Sequence, residues 1–112
     1  MISKNSIFEL YQIIVEVKEI KGKCTCNMKV GDKFYLNGGK VSLPKNQDFC
    51  LFALQSTIPL LPAKQRTHNN KFDWIETDNE VMCPDPSCKL IMEIKRGEIQ
   101  EFNHNDVSSN QI

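Results

Sequence analysis

Tyr11 to Ile20 constrains the fold more than any other stretch. Tyr11, Ile13, Val15 and Val17 alternate there with Gln12, Glu16 and Lys18, the period-2 pattern of a strand with one buried face. Ile14 breaks the alternation and reads as one exposed isoleucine on the outer face. Such a strand needs neighbours to pair with and a layer to cover its apolar side. The chain supplies short strand candidates at Asp32 to Leu36, Val81 to Cys83 and Leu90 to Lys95, and one helix candidate within Asp48 to Pro62. Its 112 residues suffice for one modest core. The expectation is an α+β domain, a small and mostly antiparallel sheet packed against one main helix. It spans residues 8–96, with flexible segments at 1–7 and 97–112.

Local chemistry sets the connections. Asn37-Gly38-Gly39 is a hairpin signal, because the central residues of a type I′ turn need positive φ, and a short strand, Lys40 to Leu43, returns from it. Pro44 to Asp48 leaves the sheet and offers Asn46 or Asp48 as an N-cap for a helix over Phe49 to Ile58. Apolar residues cover most of that helix, so it reads as mostly buried. Pro59 removes a backbone donor and is expected to end it, with a further turn around Leu60 to Gln65. Phe72-Asp73-Trp74 is expected to plug one end of the core. From Glu98 the chain is mostly Glu, Gln, Asn, His, Asp and Ser, the composition of a flexible tail.

Several function classes drop out. Fourteen Lys and Arg balance fourteen Asp and Glu, and no basic stretch is interleaved with aromatics, so nucleic acid is not an expected partner. No apolar run approaches the ~20 residues that span a bilayer, and the N-terminus has no signal-peptide block, which points to no membrane partner and a cytoplasmic protein. Five cysteines, an odd number, in a compartment that keeps thiols reduced argue against a disulfide framework.

The cysteines carry the candidate chemistry. Cys24-x-Cys26, Cys50 and Cys83-x4-Cys88 each fall at the end of a predicted element, where loops from one rim of a sheet can converge. Two or three thiolates there form a soft site suited to zinc, copper(I) or an iron–sulfur centre, although the spacings match no common zinc or ferredoxin run. Cys50, in the first turn of the predicted helix, faces unpaired N–H groups that favour its thiolate. The same thiol could act as a nucleophile with His68 as base, but a loop histidine reads first as solvated, and His104 lies in the presumed tail. Asp85, between two prolines, most simply caps its own turn. Three functions follow. The first is a cysteine-dependent protein binding a soft metal or redox centre. The second is an enzyme or small-molecule-binding protein with a pocket between helix and sheet, using Cys50 or Asp85. The third is a non-catalytic interaction module, homodimeric through an apolar patch around Ile14.

The motifs Gly22-Lys23-Cys24-Thr25, Met28-Lys29-Val30-Gly31-Asp32-Lys33-Phe34, Cys50-Leu51-Phe52-Ala53 with Pro59, and Cys83-Pro84-Asp85-Pro86 occur in order. In this the chain resembles a family of small uncharacterised bacterial and archaeal proteins, frequent in anaerobes. That family reads Gly-x-Cys-Pro, His-Lys-x-Gly-Asp-x-Phe, Cys-Pro-x-Ala and Cys-Pro-Asp-Pro. The resemblance covers about Tyr11 to Lys95 and brings no activity with it. It sets Cys24, Cys50 and Cys83 apart as a metal-ligand trio, with Met28 or Cys26 as a fourth donor. Met28 stands where the family has histidine, and Thr25 and Leu51 replace two of its prolines. A thiolate metal site fits these residues better than a hydrolytic zinc site.

Overall fold

The computed structural model describes residues 6–110. Five strands, β1 (Ile7–Ile20), β2 (Lys33–Asn37), β3 (Lys40–Ser42), β4 (Glu80–Met82) and β5 (Leu90–Asn103), form one antiparallel sheet in the order β3-β2-β1-β5-β4. The architecture is α+β, as expected, and the alternation in β1 marks the face that is covered. Ile13, Val15 and Val17 of β1, Phe34 and Leu36 of β2, and Leu90, Met92 and Ile94 of β5 point to one side and are buried. The opposite face is charged. Glu16 there takes Lys95 at 2.7 Å and Lys33 at 3.7 Å, and Lys18 takes Glu80. Ile14 is half-buried on that charged face.

The apolar side is covered by a helical run of three pieces: α1 (Leu51–Thr57), a 3-10 turn (Ile58–Leu60) and α2 (Leu61–Lys64). Ala53, Thr57 and Leu61 form the buried stripe, and Phe49 just before the run meets Phe34 edge-on at 4.9 Å. One expectation is corrected here. The helix is not mostly buried: Leu51, Phe52 and Ile58 are exposed, because one layer over one sheet face can hide only a narrow stripe. The α-helix does end just before Pro59, at Thr57, and the expected further turn is α2; at the second position of the intervening 3-10 turn the missing N–H of Pro59 costs no hydrogen bond.

Two short helices complete the described chain, α3 (Trp74–Thr77) and α4 (His104–Val107). The expected aromatic plug is not there. Phe72 and Trp74 are exposed, and Ile75 enters the core once Asp73 caps α3 by accepting from the Ile75 amide at 3.0 Å. The loop is tied down instead by Arg96. Its guanidinium donates to Glu76 at 2.9 and 2.7 Å and to the carbonyls of Lys64 and Arg66, and lies over the Tyr11 ring.

The presumed tail also differs. β5 continues to Asn103, with Gln100 opposite Leu10 and Phe102 opposite Phe8, so residues 97–103 are sheet. Polar composition hid this, because ladder bonds and a few apolar contacts are enough for a strand whose partner is already in place. β1 likewise begins at Ile7, within the expected flexible start. Positions 1–5 and 111–112 lie outside the described residues.

Candidate functional site

Three segments bring the cysteines to one end of the sheet. Where β1 ends and β5 begins, the backbone goes on pairing past the strands: Gly22 N–H donates to Cys88 O and Lys23 N–H to Ser87 O, both at 3.0 Å. This close approach requires glycine, since a Cβ on Gly22 would lie 2.0 Å from Ser87 O. The loop carrying Cys24 and Cys26 is thereby set against the turn from Cys83 to Cys88. Asp85 shapes that turn, its Oδ1 accepting from Ser87 N–H at 3.0 Å and from Ser87 Oγ at 2.7 Å, and the Cys83 amide closes it on Leu90 O at 2.8 Å. The third segment is the start of α1.

Cys50 is the N-cap residue of α1 rather than a member of its first turn. Neither expected cap, Asn46 or Asp48, takes that place. Met28 fixes the position: it is buried, and its Sδ accepts from the Cys50 amide at 3.3 Å. Met28 therefore touches the backbone of Cys50.

All five cysteines are free. The Cys50 thiol feels opposed forces. Burial raises its pKa, while the Ala53 amide, the Cys26 thiol and the Phe52 amide outweigh burial and leave it below the ordinary thiol value. Cys26 is pushed up, chiefly because its thiol donates to Cys50 and then by the charge of Cys50. Cys88 is pushed up to about 12 by burial and by its bond and charge interaction with Cys24, with Cys83 and Asp85 adding to it. Electrostatically, Cys26 responds first to Cys50, and Cys88, after burial, to Cys24, with Cys83 adding to both.

The expected trio of Cys24, Cys50 and Cys83 is not preassembled. Among the described residues, no three His, Cys, Asp or Glu side chains are placed to hold a metal ion. Sequence reasoning missed the electrostatic coupling of Cys26 with Cys50 and of Cys88 with Cys24. The Cys-x-Cys spacing was the available signal, since alternate residues of an extended loop can face two different partners.

The other candidates have structural partners. His68 Nε2 lies 2.9 Å from Ala63 O and 3.9 Å from Glu76, and His104 Nε2 lies 2.7 Å from Asn110 O. Asp85 is held below the usual carboxylate range by its Ser87 bonds, and its charge raises the Cys50 and Cys88 thiols. The two large clefts, of about 810 and 730 Å³, are lined by neither Cys50 nor Asp85. No described helix is long and apolar enough to cross a membrane. Compared with protein-family models, with curated proteins and with solved structures, the chain matches none.

Proposed function

We propose that this protein binds a soft, thiophilic metal ion at its cysteine rim, with Cys24, Cys50 and Cys83 as donors and Cys26 or Cys88 completing the set. One observation carries the reading: the backbone bonds of Gly22 and Lys23 and the Met28 contact to Cys50 bring cysteines from three separate segments to one end of the sheet, where the Cys26 thiol is raised chiefly by Cys50 and the Cys88 thiol by burial and then by Cys24. A soft cation bound there would replace thiol protons and offset that cost. Sulfur donors select zinc, copper(I) or an iron–sulfur centre over hard cations. The likeness of the four motifs to the family described above supports the same trio.

The test is metal analysis of protein purified without oxygen, followed by cobalt(II) titration read through its thiolate charge-transfer bands. We expect stoichiometric binding, weakened at least about tenfold by Cys50→Ser or Cys83→Ser, as expected when a ligand is lost. Absence of the bands in the unaltered protein overturns the proposal. The Cys26 and Cys50 couple favours a second reading, a dithiol that cycles to a disulfide. It would appear in the same preparation as a two-proton mass loss on mild oxidation, mapped to those two residues and unaffected by chelators.

A further inference from the structure

Between Thr25 and Val30 one side chain alone turns inward: Met28 is buried, while Thr25, Cys26, Asn27, Lys29 and Val30 are exposed. The backbone fixes that choice. Asn27 takes the left-handed conformation at φ +56, its N–H reaching back to Cys24 O at 3.4 Å, and Asp32 Oδ2 accepts from the Lys29 amide at 2.9 Å. Gly31 N–H then ties the loop to Val17 O at 2.9 Å. Met28 is thus held from both sides, inside the apolar cluster that also contains Cys83 and Cys88 and has Cys24 and Cys50 packed against it. Its sulfur stands at the cysteine rim, where Sδ accepts from Cys50 N–H at 3.3 Å. A thioether carries a second lone pair, and this bond does not use it.

The donors beside Cys50 are sulfur throughout. Two positions before Met28, the exposed Cys26 thiol hydrogen-bonds to the Cys50 thiol. The imidazoles are engaged elsewhere, His68 Nε2 against Ala63 O and His104 Nε2 against Asn110 O. The Asp85 carboxylate of the adjoining turn is occupied by the amide and hydroxyl of Ser87. Zinc takes thiolate, imidazole and carboxylate ligands, about four of them in a structural site, and iron–sulfur clusters take thiolates. A thioether belongs to neither set. It suits copper(I), a soft monovalent ion that is satisfied by about two or three sulfurs. So low a ligand number also fits a rim in which, among the described residues, no three His, Cys, Asp or Glu side chains are placed around one point.

We propose that the ion bound at this rim is copper(I), held by the Cys50 and Cys26 sulfurs and by the free lone pair of Met28 Sδ. The inference rests on the metal-binding reading above and narrows it to one ion, with Cys50 as the ligand common to both. Leucine would fill the same space in the core, and only a thioether adds a ligand there.

The probe is copper(I) itself, added to the full chain without oxygen and read against the coloured chelator bathocuproine disulfonate, with cobalt(II) as the comparison ion. We expect one copper(I) per chain. Met28→Leu, which keeps the size and apolarity of the side chain, should weaken copper(I) binding at least about tenfold and leave cobalt(II) affinity unchanged. X-ray absorption at the copper edge reads the ligand directly: the selenomethionine-labelled chain should show selenium bonded to copper, and its Met28→Leu variant should not. Copper(I) bound without a selenium neighbour, unchanged copper(I) affinity in Met28→Leu, or an equal loss of both ions in that variant each overturns the proposal and leaves metal binding at the rim in place. Failure of both ions to bind the unaltered chain overturns that binding as well.

Discussion

The two ends of the β1–β5 ribbon share a backbone plan and differ in the chemistry they enclose. From Leu10 to Ile20 the ribbon runs about 30 Å, at ~3.3 Å per residue. At the Ile20 end, backbone bonds from Gly22 and Lys23 set the Cys24 and Cys26 loop against the Cys83 to Cys88 turn, and the Cys26 and Cys88 thiols are raised while Cys50 is lowered. At the Leu10 end, Gly38 lets a hairpin lie on Phe102, and the gathered groups are amides, which stay neutral and satisfy one another except for one oxygen. In both, glycine permits a close approach and long-range strand pairing supplies the partner. What differs is the chemistry gathered: thiols, which can ionise, at one end and neutral amides at the other.

The hardest blow to this symmetry is Gly22→Ala. The added Cβ meets backbone at Ser87 O and Cys88 O, at 2.0 and 2.9 Å, and no rotamer can relieve it. Such overpacking costs about 3 kcal/mol, a fall in thermal midpoint of roughly 10–20 °C for a domain of this size, with the Gly38 amide environment preserved. A midpoint like that of the unaltered protein would show that the thiol end does not depend on this contact.

Next comes Arg96→Met, which frees the loop over residues 66–79 while leaving both ends in place; the loss should be about 2 kcal/mol, seen as faster amide exchange at Glu76 and Asp78. It also carries a pH signature. The Arg96 bond holds the Glu76 pKa below its ordinary value, so that contribution is present above the carboxylate range and fades as pH falls through it. Thermal midpoints should therefore fall less steeply with acid in the variant than in the unaltered protein. A parallel fall in both would detach Glu76 from Arg96.

A smaller effect separates the thiols themselves. Cys26→Ala removes a donor that favours the Cys50 thiolate, so alkylation of Cys50 near neutral pH should slow by roughly two- to fivefold. An unchanged rate would leave the Ala53 and Phe52 amides as its support. Smallest of all is Phe72→Ser: the ring is 83% exposed, and its removal should shift stability by less than about 0.5 kcal/mol.

The sequence made the covered sheet legible wherever burial was one-sided. Ile13, Val15 and Val17, or Leu90, Met92 and Ile94, alternate cleanly because only one face meets the helical layer. It was misleading where large apolar residues stay outside. Phe72 and Trp74 look like core residues, and only the cap geometry at Asp73 decides that Ile75 goes in. Residues 97–103 were illegible for the opposite reason, since a polar strand is held by a partner about ninety positions away. At the thiol end, the cysteines and their placement at element ends could be read directly. Their electrostatic coupling could not, because it depends on the Gly22 backbone bonds and on Met28 seating Cys50.

The pairing of β1 with β5 also sets an order of events during synthesis. Ile7 lies opposite Asn103 and Ile20 opposite Leu90, so β1 must wait for most of the chain before it gains its longest neighbour. Closing so large a loop carries an entropic cost before any contact offsets it, which slows folding. At ~5–20 residues per second the ribosome leaves β1, the β2–β3 hairpin and three of the five cysteines waiting for several seconds. Through that interval Cys24, Cys26 and Cys50 have neither Cys83 nor Cys88 beside them. Only when β5 pairs with β1 do the Cys83 to Cys88 turn and the Cys24 and Cys26 loop come together.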